Sequence, residues 1–296
     1  MSNSFKNFHP VVNFYYFTAV ICFSMFFMHP MFLGISLIGA FIYSIFLKGK
    51  KAVKFNILYM LPMLLATALI NPAFNHAGVT ILFYLKSGNP ITLESILYGI
   101  AAAVMFISVI LWFSCYNEIM TSDKFIYLFG RIIPGLSLIF SMVLRFVPKY
   151  KAQIKVISNG QKSIGRDVTN GNIFVRAKNG IKIVSIMTTW ALENAIETAD
   201  SMKSRGYGLK GRSSFSIFRF DNRDKITLGT MIVLTLVILA GAFYGENSII
   251  YFPIIKVKPV SLFSIIVYLS YALLCFIPII ADVKEEIVWR RLKLEI

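Results

Sequence analysis

Charge is what this sequence lacks most. Only 15% of its 296 residues are charged, against about a quarter in an ordinary soluble domain. Hydrophobic residues make up 57% and aromatic residues 15%. A water-soluble fold has no place for so much apolar surface, so the surplus is expected to face lipid. Cysteine is scarce as well. Cys22, Cys115 and Cys275 each stand alone in an apolar run with no CxxC spacing, which excludes a readable disulfide framework or thiolate metal site. The centres of the apolar runs also lack the acids and bases that an ion-driven transporter places at mid-membrane. His76, Glu94 and Asp282 lie only at the edges of these runs. They form neither a converging ligand set nor an acid–base constellation, so no cofactor or metal is expected. No Ala-x-Ala site follows a basic start, so no removable signal peptide is expected and the first run reads as a retained span.

Apolar runs near 11–28, 31–47, 56–71, 95–115, 226–244 and 260–281 are the span candidates, which gives about six. Pro30 separates the first two with almost no loop. Lys48, Lys50, Lys51 and Lys54 then place the next loop in the cytoplasm by the positive-inside rule. Counted from there, both termini are cytoplasmic and 72–94 lies outside, with Lys256 and Lys258 a mild violation in the last outer loop. The net charge of +16 could suggest a nucleic-acid partner, but its basic residues sit in loops and one central segment rather than on a folded patch. Nucleic acid is not an expected partner; the lipid bilayer is.

That central segment divides the chain into membrane spans over 1–124, a cytoplasmic region over 125–225, and spans with a cytoplasmic tail over 226–296. Between Arg145 and Lys225 it carries sixteen Lys plus Arg against six Asp plus Glu. Two long amphipathic helices are expected in it. The first begins within 136–148, apolar enough there to dip into the membrane, and ends near Ile164. The second runs over about 181–205, with Val184, Met187, Ala191, Ala195, Ala199 and Met202 recurring as one apolar stripe. Both end alike, in Lys162-Ser163-Ile164-Gly165-Arg166 and Lys203-Ser204-Arg205-Gly206-Tyr207. A glycine past the last turn and a cation within it are ordinary termination signals. Two such endings on amphipathic cytoplasmic helices also suit docking into acidic grooves of a partner.

Two further stretches complete the pattern. One is Asn71-Pro72-Ala73-Phe74-Asn75-His76-Ala77-Gly78-Val79-Thr80, with Gly88-Asn89-Pro90-Ile91-Thr92-Leu93-Glu94 after it. The other runs from Thr121-Ser122-Asp123 to Leu144-Arg145-Phe146-Val147-Pro148. Together with the two endings they resemble the transmembrane T components of energy-coupling factor transporters, over about residues 60–210. The resemblance implies a non-catalytic subunit in the cell membrane, with an all-α polytopic fold and two coupling helices. It implies two cytoplasmic ABC-type ATPase subunits as partners, and a separate membrane subunit that binds the substrate. In that family each coupling helix ends in a short Ala-Arg-Gly-like motif that inserts an arginine into one ATPase. By resemblance Ser204, Arg205 and Gly206 are the second motif, and Ser163, Ile164 and Gly165 stand at the first. The first has no arginine at its centre; Arg166 or Lys162 supplies the charge. Arg145 and Pro148 are structural positions of the first coupling helix.

Gly206-Tyr207-Gly208-Leu209-Lys210-Gly211-Arg212-Ser213 nearly fits a phosphate-binding loop. Arg212 replaces its lysine, and a helix precedes it where the motif needs a strand. The chain is therefore not expected to bind ATP itself. A self-sufficient permease or channel and a membrane-embedded enzyme are the competing readings, and co-purification with ATPases separates them from a coupling subunit.

Overall fold

The computed structural model describes residues 4–49, 53–54, 56–84, 89–130, 133–209 and 218–294. Lys50, Lys51, Lys86 and the Lys210–Ser213 part of the near phosphate-loop segment lie outside them. The architecture is helical, with two short antiparallel hairpins as its only sheet among the described residues. Helices α1 (Pro10–Phe26), α2 (Pro30–Lys48), α3 (Asn56–Phe74, π-helical over Asn56–Met60) and α4 (Leu93–Ile119) come first. They are followed by α5 (Ser122–Gly130), α6 (Pro134–Ser163), α7 (Ile173–Ser204), α8 (Asn222–Phe243) and α9 (Leu262–Leu294). Five of them, α2, α3, α4, α8 and α9, are long and apolar enough to cross a membrane. The sixth expected span, α1, has 17 residues, about 26 Å at 1.5 Å per residue against a hydrocarbon core of ~30 Å. The expectation of an all-α polytopic membrane protein therefore holds.

The chain folds as two compact units, residues 1–125 with 218–296, and residues 126–217. In the first unit α1 is the central element despite its length. Tyr16, Phe17 and Val20 are fully buried in a core shared with Trp112, Tyr271 and Leu274. The charge-poor interior still holds polar groups, and they pair with one another. Ser24 Oγ meets Ser36 Oγ at 2.6 Å and Tyr271 OH at 3.2 Å, and Trp112 Nε1 donates to Ser36 Oγ at 2.9 Å. Burying such groups unpaired costs several kcal/mol each in lipid (~2–7), so the network closes the space between α1, α2, α4 and α9. Where α3 meets α4 the backbones approach closely. A Cβ on Gly99 would stand 2.7 Å from the Ala68 carbonyl oxygen, the acceptor that Pro72 leaves without its helical N–H donor.

At one end of this unit the N-terminal turn Ser4–Asn7 is held between spans. Phe5 is fully buried and donates its backbone N–H to Asp282 Oδ1 at 2.9 Å. His9 donates its backbone N–H to Asp224 Oδ1 at 3.2 Å, while Asp224 closes a capping box with Asp221 at the start of α8. Lys124 Nζ donates to the Lys6 carbonyl. Asp282, which the sequence leaves alone at the end of a span, is thus an anchor for the N-terminus. Near the α1–α2 turn lies the segment that carries the second hairpin, Ile249–Ile250 with Lys256–Val257, and Tyr251 OH donates to the Met28 carbonyl at 2.9 Å. The positive-inside violation there is neutralised in part, because Lys258 pairs with the buried Glu246, which also accepts from Ser264. Those bonds, Lys258 first, hold the Glu246 carboxyl below its ordinary range.

Candidate partner-docking site

In the second unit α6 and α7 pack against each other in antiparallel fashion, and the contact is built from polar and aromatic side chains. Tyr150 meets Trp190 edge-to-face with centroids 5.5 Å apart, and Phe146 stacks on Tyr150 at 5.7 Å. Lys149 donates to Asn194 Oδ1 at 2.9 Å and lies 5.4 Å from the Trp190 ring centroid. Pro148 sits just before this contact, inside α6, where it removes the N–H that would bond the Leu144 carbonyl. The start of α7 is set by Asn172, whose side chain accepts from the Ile173 N–H at 2.7 Å. The helix is therefore longer at its start than the expected 181–205. Its covered face is also rotated from the expected stripe. Of the expected stripe Met187 is buried and Ala191 and Met202 partly so, whereas Val184 is 64% exposed and Ala195 and Ala199 are open; Ile183, Trp190, Asn194 and Thr198 complete the covered face. The partner face is read by Trp190 and Asn194, which a count of aliphatic residues cannot weigh.

Both helices end in the same hydrogen-bonded cap. On α6 the Gly165 N–H donates to the Lys162 carbonyl at 3.0 Å and the Arg166 N–H to the Gln161 carbonyl at 2.9 Å. On α7 the Gly206 N–H donates to Lys203 at 2.9 Å and the Tyr207 N–H to Met202 at 3.0 Å. This pair of bonds is the Schellman motif, and it needs a left-handed residue after the cap. Gly165 at φ 78° and Gly206 at φ 75° supply it. Ser163 and Ser204 occupy the same last helical position, and each turns its hydroxyl back to a carbonyl, of Asn159 at 3.1 Å and of Ser201 at 3.0 Å. Ile164 and Arg205 are the equivalent cap residues, both exposed.

The charges at the two ends differ. Lys162 is engaged within its own turn, 3.5 Å from Asp167. The Thr169 backbone N–H, at 2.9 Å, is the first cause that holds the Asp167 carboxyl below its usual value, and Lys162 adds to it. Arg166 is exposed, and neither it nor Arg205 has an ion pair among the described residues. Tyr150 and Trp190 lie 13 and 14 residues before Ser163 and Ser204, so each ending stands on an arm of about 20 Å. Because the helices are antiparallel, the endings point to opposite ends of the pair. Beside the α7 arm runs a groove of about 600 Å³, lined among others by Arg145, Lys149, Glu197, Thr198, Arg205 and Tyr207. Arg145 therefore shares a cavity wall with Arg205, and its guanidinium lies 5.3 Å from the Phe146 ring centroid. Tyr150, Trp190 and Asn194 went unassigned in the sequence; a tryptophan in an otherwise charged helix was the one signal for them.

These features define a helical, multi-span membrane protein with a separate two-helix unit that ends in paired basic caps. No protein-family model matches the chain. Similar proteins include the energy-coupling factor transporter transmembrane protein EcfT of Lacticaseibacillus paracasei, 34% identical over 108 residues, or 36% of this chain and 41% of that protein. EcfT 1 of Listeria monocytogenes is 29% identical over 210 residues, 66% of this chain and 75% of that protein. EcfT of Staphylococcus aureus is 30% identical over 119 residues, 40% of this chain and 44% of that protein. The chain spans about two fifths of the length of the L. paracasei, Lactobacillus helveticus and Lactococcus lactis relatives that it matches. The chain is EcfT-like: its sequence is related to the transmembrane component of energy-coupling factor transporters.

Proposed function

We propose that this chain is the transmembrane coupling subunit of an ATP-driven importer for a vitamin, another micronutrient or a metal ion. In this reading it joins two cytoplasmic ABC-type ATPase subunits to a separate substrate-binding membrane subunit, and both of its termini lie in the cytoplasm. It has no catalytic role of its own; ATP is hydrolysed by its partners. The observation that carries the reading is the pair of caps with the same backbone hydrogen bonding at the far ends of two antiparallel helices. Two-fold repetition of one docking element is what a pair of like ATPases requires.

Ser204, Arg205 and Gly206 make the second contact and Ser163, Ile164, Gly165 and Arg166 the first. Arg166 is favoured over Lys162 as the cation of the first contact, because Lys162 already pairs with Asp167. A guanidinium stays charged and presents paired donors to a carboxylate, and the cap's left-handed glycine lets the partner approach closely. Tyr150 and Trp190 fasten the arms where they cross, so closure of two ATPases would move the arms as stiff levers. The exposed apolar residues Ile139, Phe140, Val143 and Leu144 on α6 suit contact with lipid or with the substrate-binding subunit. Affinity purification of the tagged chain from its native membrane tests the reading. Two ATPase subunits per chain are expected in the eluate. A chain that purifies alone and transports a substrate in vesicles without ATP would overturn it.

A further inference from the structure

On the surface of the first unit an apolar groove of about 350 Å³ opens between α2, α3 and α4, lined among others by Ile38, Phe41, Asn56, Ile57, Leu64 and Leu111. It starts at the π-helical turn of α3, a rare geometry that often marks a functional site. From Asn56 to Leu64 it extends on the order of 12 Å along the helix. Its lining is apolar apart from Asn56 and suits a hydrocarbon chain. Polar and charged groups stand beyond one end of it. Asn56 is buried and donates its amide to Ser44 Oγ at 3.2 Å. Lys48 places its ammonium 2.6 Å from Ser114 Oγ, one turn beyond Leu111 on α4. Lys54, exposed, stands two residues before Asn56. The two cations thus stand beyond the Asn56 end of the apolar slot.

We infer that this groove holds one acyl chain of an anionic phospholipid whose headgroup is bound by Lys48 and Lys54. The charge decides the headgroup, since basic residues at a membrane surface select anionic lipid. The slot decides the position, since a flat lipid-facing surface would hold no chain in register. The inference needs only that the spans are in a bilayer and does not depend on ATPase docking.

Native mass spectrometry of the full chain in mild detergent tests it, with dioleoyl-phosphatidylglycerol as probe and dioleoyl-phosphatidylcholine as comparator. One phosphatidylglycerol is expected to stay bound where phosphatidylcholine is stripped. Lys48→Gln with Lys54→Gln should lower that retention on the order of 25-fold, roughly fivefold for each lysine. Ile38→Trp, which fills the slot without touching the lysines, should lower retention of the same lipid. Size-exclusion profiles like the wild type's show that the variants are folded. Equal retention of both lipids, or retention unchanged in both variants, overturns the inference. So does a photocrosslinker at Ile57 that captures another protein's helix in native membrane instead of lipid.

Discussion

Ile164 and Arg205 occupy the same cap position of two matching helix endings, each one residue before a left-handed glycine and one after a serine bonded back to its own helix. The backbone device is duplicated and the side chain is not. The difference between the two ends is therefore one of charge at a fixed place, and it can be tested by substitution without moving the helices.

Gly165→Ala and Gly206→Ala should cost the two ends alike. A left-handed φ costs an L-residue roughly 1–2 kcal/mol, so the cap should open about tenfold more often. Hydrogen exchange at the Gly206 and Tyr207 amides, and at Gly165 and Arg166, reads this directly. Gly→Asn at either site should cost less, since asparagine tolerates that conformation. Wild-type protection in the alanine variants would show that the caps do not hold the endings.

Gly99→Ala should lower thermal stability sharply. Its Cβ would stand 2.7 Å from the Ala68 oxygen and 3.1 Å from Asn71 Cβ, and the backbone cannot yield as a flexible side chain would. Overpacking of this kind typically costs about 1–3 kcal/mol. Gly34→Ala, which meets nothing within 4 Å, is the control and should be neutral or slightly stabilising. Equal midpoints for the two variants would contradict a tight α3–α4 contact.

Lys124 gives the protein a pH dependence of defined sign. Burial, then the like charge of Lys6, pushes its ammonium down to about 8, whereas an unfolded chain's lysine titrates near 10.4. Between these values the unfolded state binds more protons, so stability rises with pH across that window. The thermal midpoint of the wild type relative to Lys124→Met should therefore rise from pH 7.5 to 9.5. A constant difference between the two would show that Lys124 is not held in a desolvated site.

Much of the architecture was legible because lipid and helix each impose a period or a length. The six apolar runs became α1 to α4, α8 and α9, and the glycine after a basic last turn marked both caps. What stayed hidden depends on partners distant in sequence. Asp282 waits for the Phe5 amide across 277 positions, and Trp112 for Ser36 across 76. Lys258 read as a topological fault until Glu246 stood beside it. The α7 face was read only in part: Met187, Ala191 and Met202 lie on its covered side, but Trp190 and Asn194 against α6 turn that side away from Val184, Ala195 and Ala199. Within the candidate site, the glycine and cation positions were readable; the crossing at Tyr150 and Trp190 was not, since nothing local announces which helix a ring will meet.

The most direct test of the account is co-purification and ATP-driven uptake for Arg205→Ala beside Arg219→Ala, an exposed arginine outside either cap. Truncating one member of a buried charge pair costs about 2–5 kcal/mol, so Arg205→Ala should release an ATPase or uncouple hydrolysis from uptake. Arg205→Lys should restore only part of the loss, because lysine lacks the paired donors, and Arg166→Ala should show a smaller loss at the other end. Arg219→Ala should behave as the wild type. Assembly and uptake intact in Arg205→Ala, as in Arg219→Ala, would contradict the central claim that the cap arginine couples this chain to its ATPases.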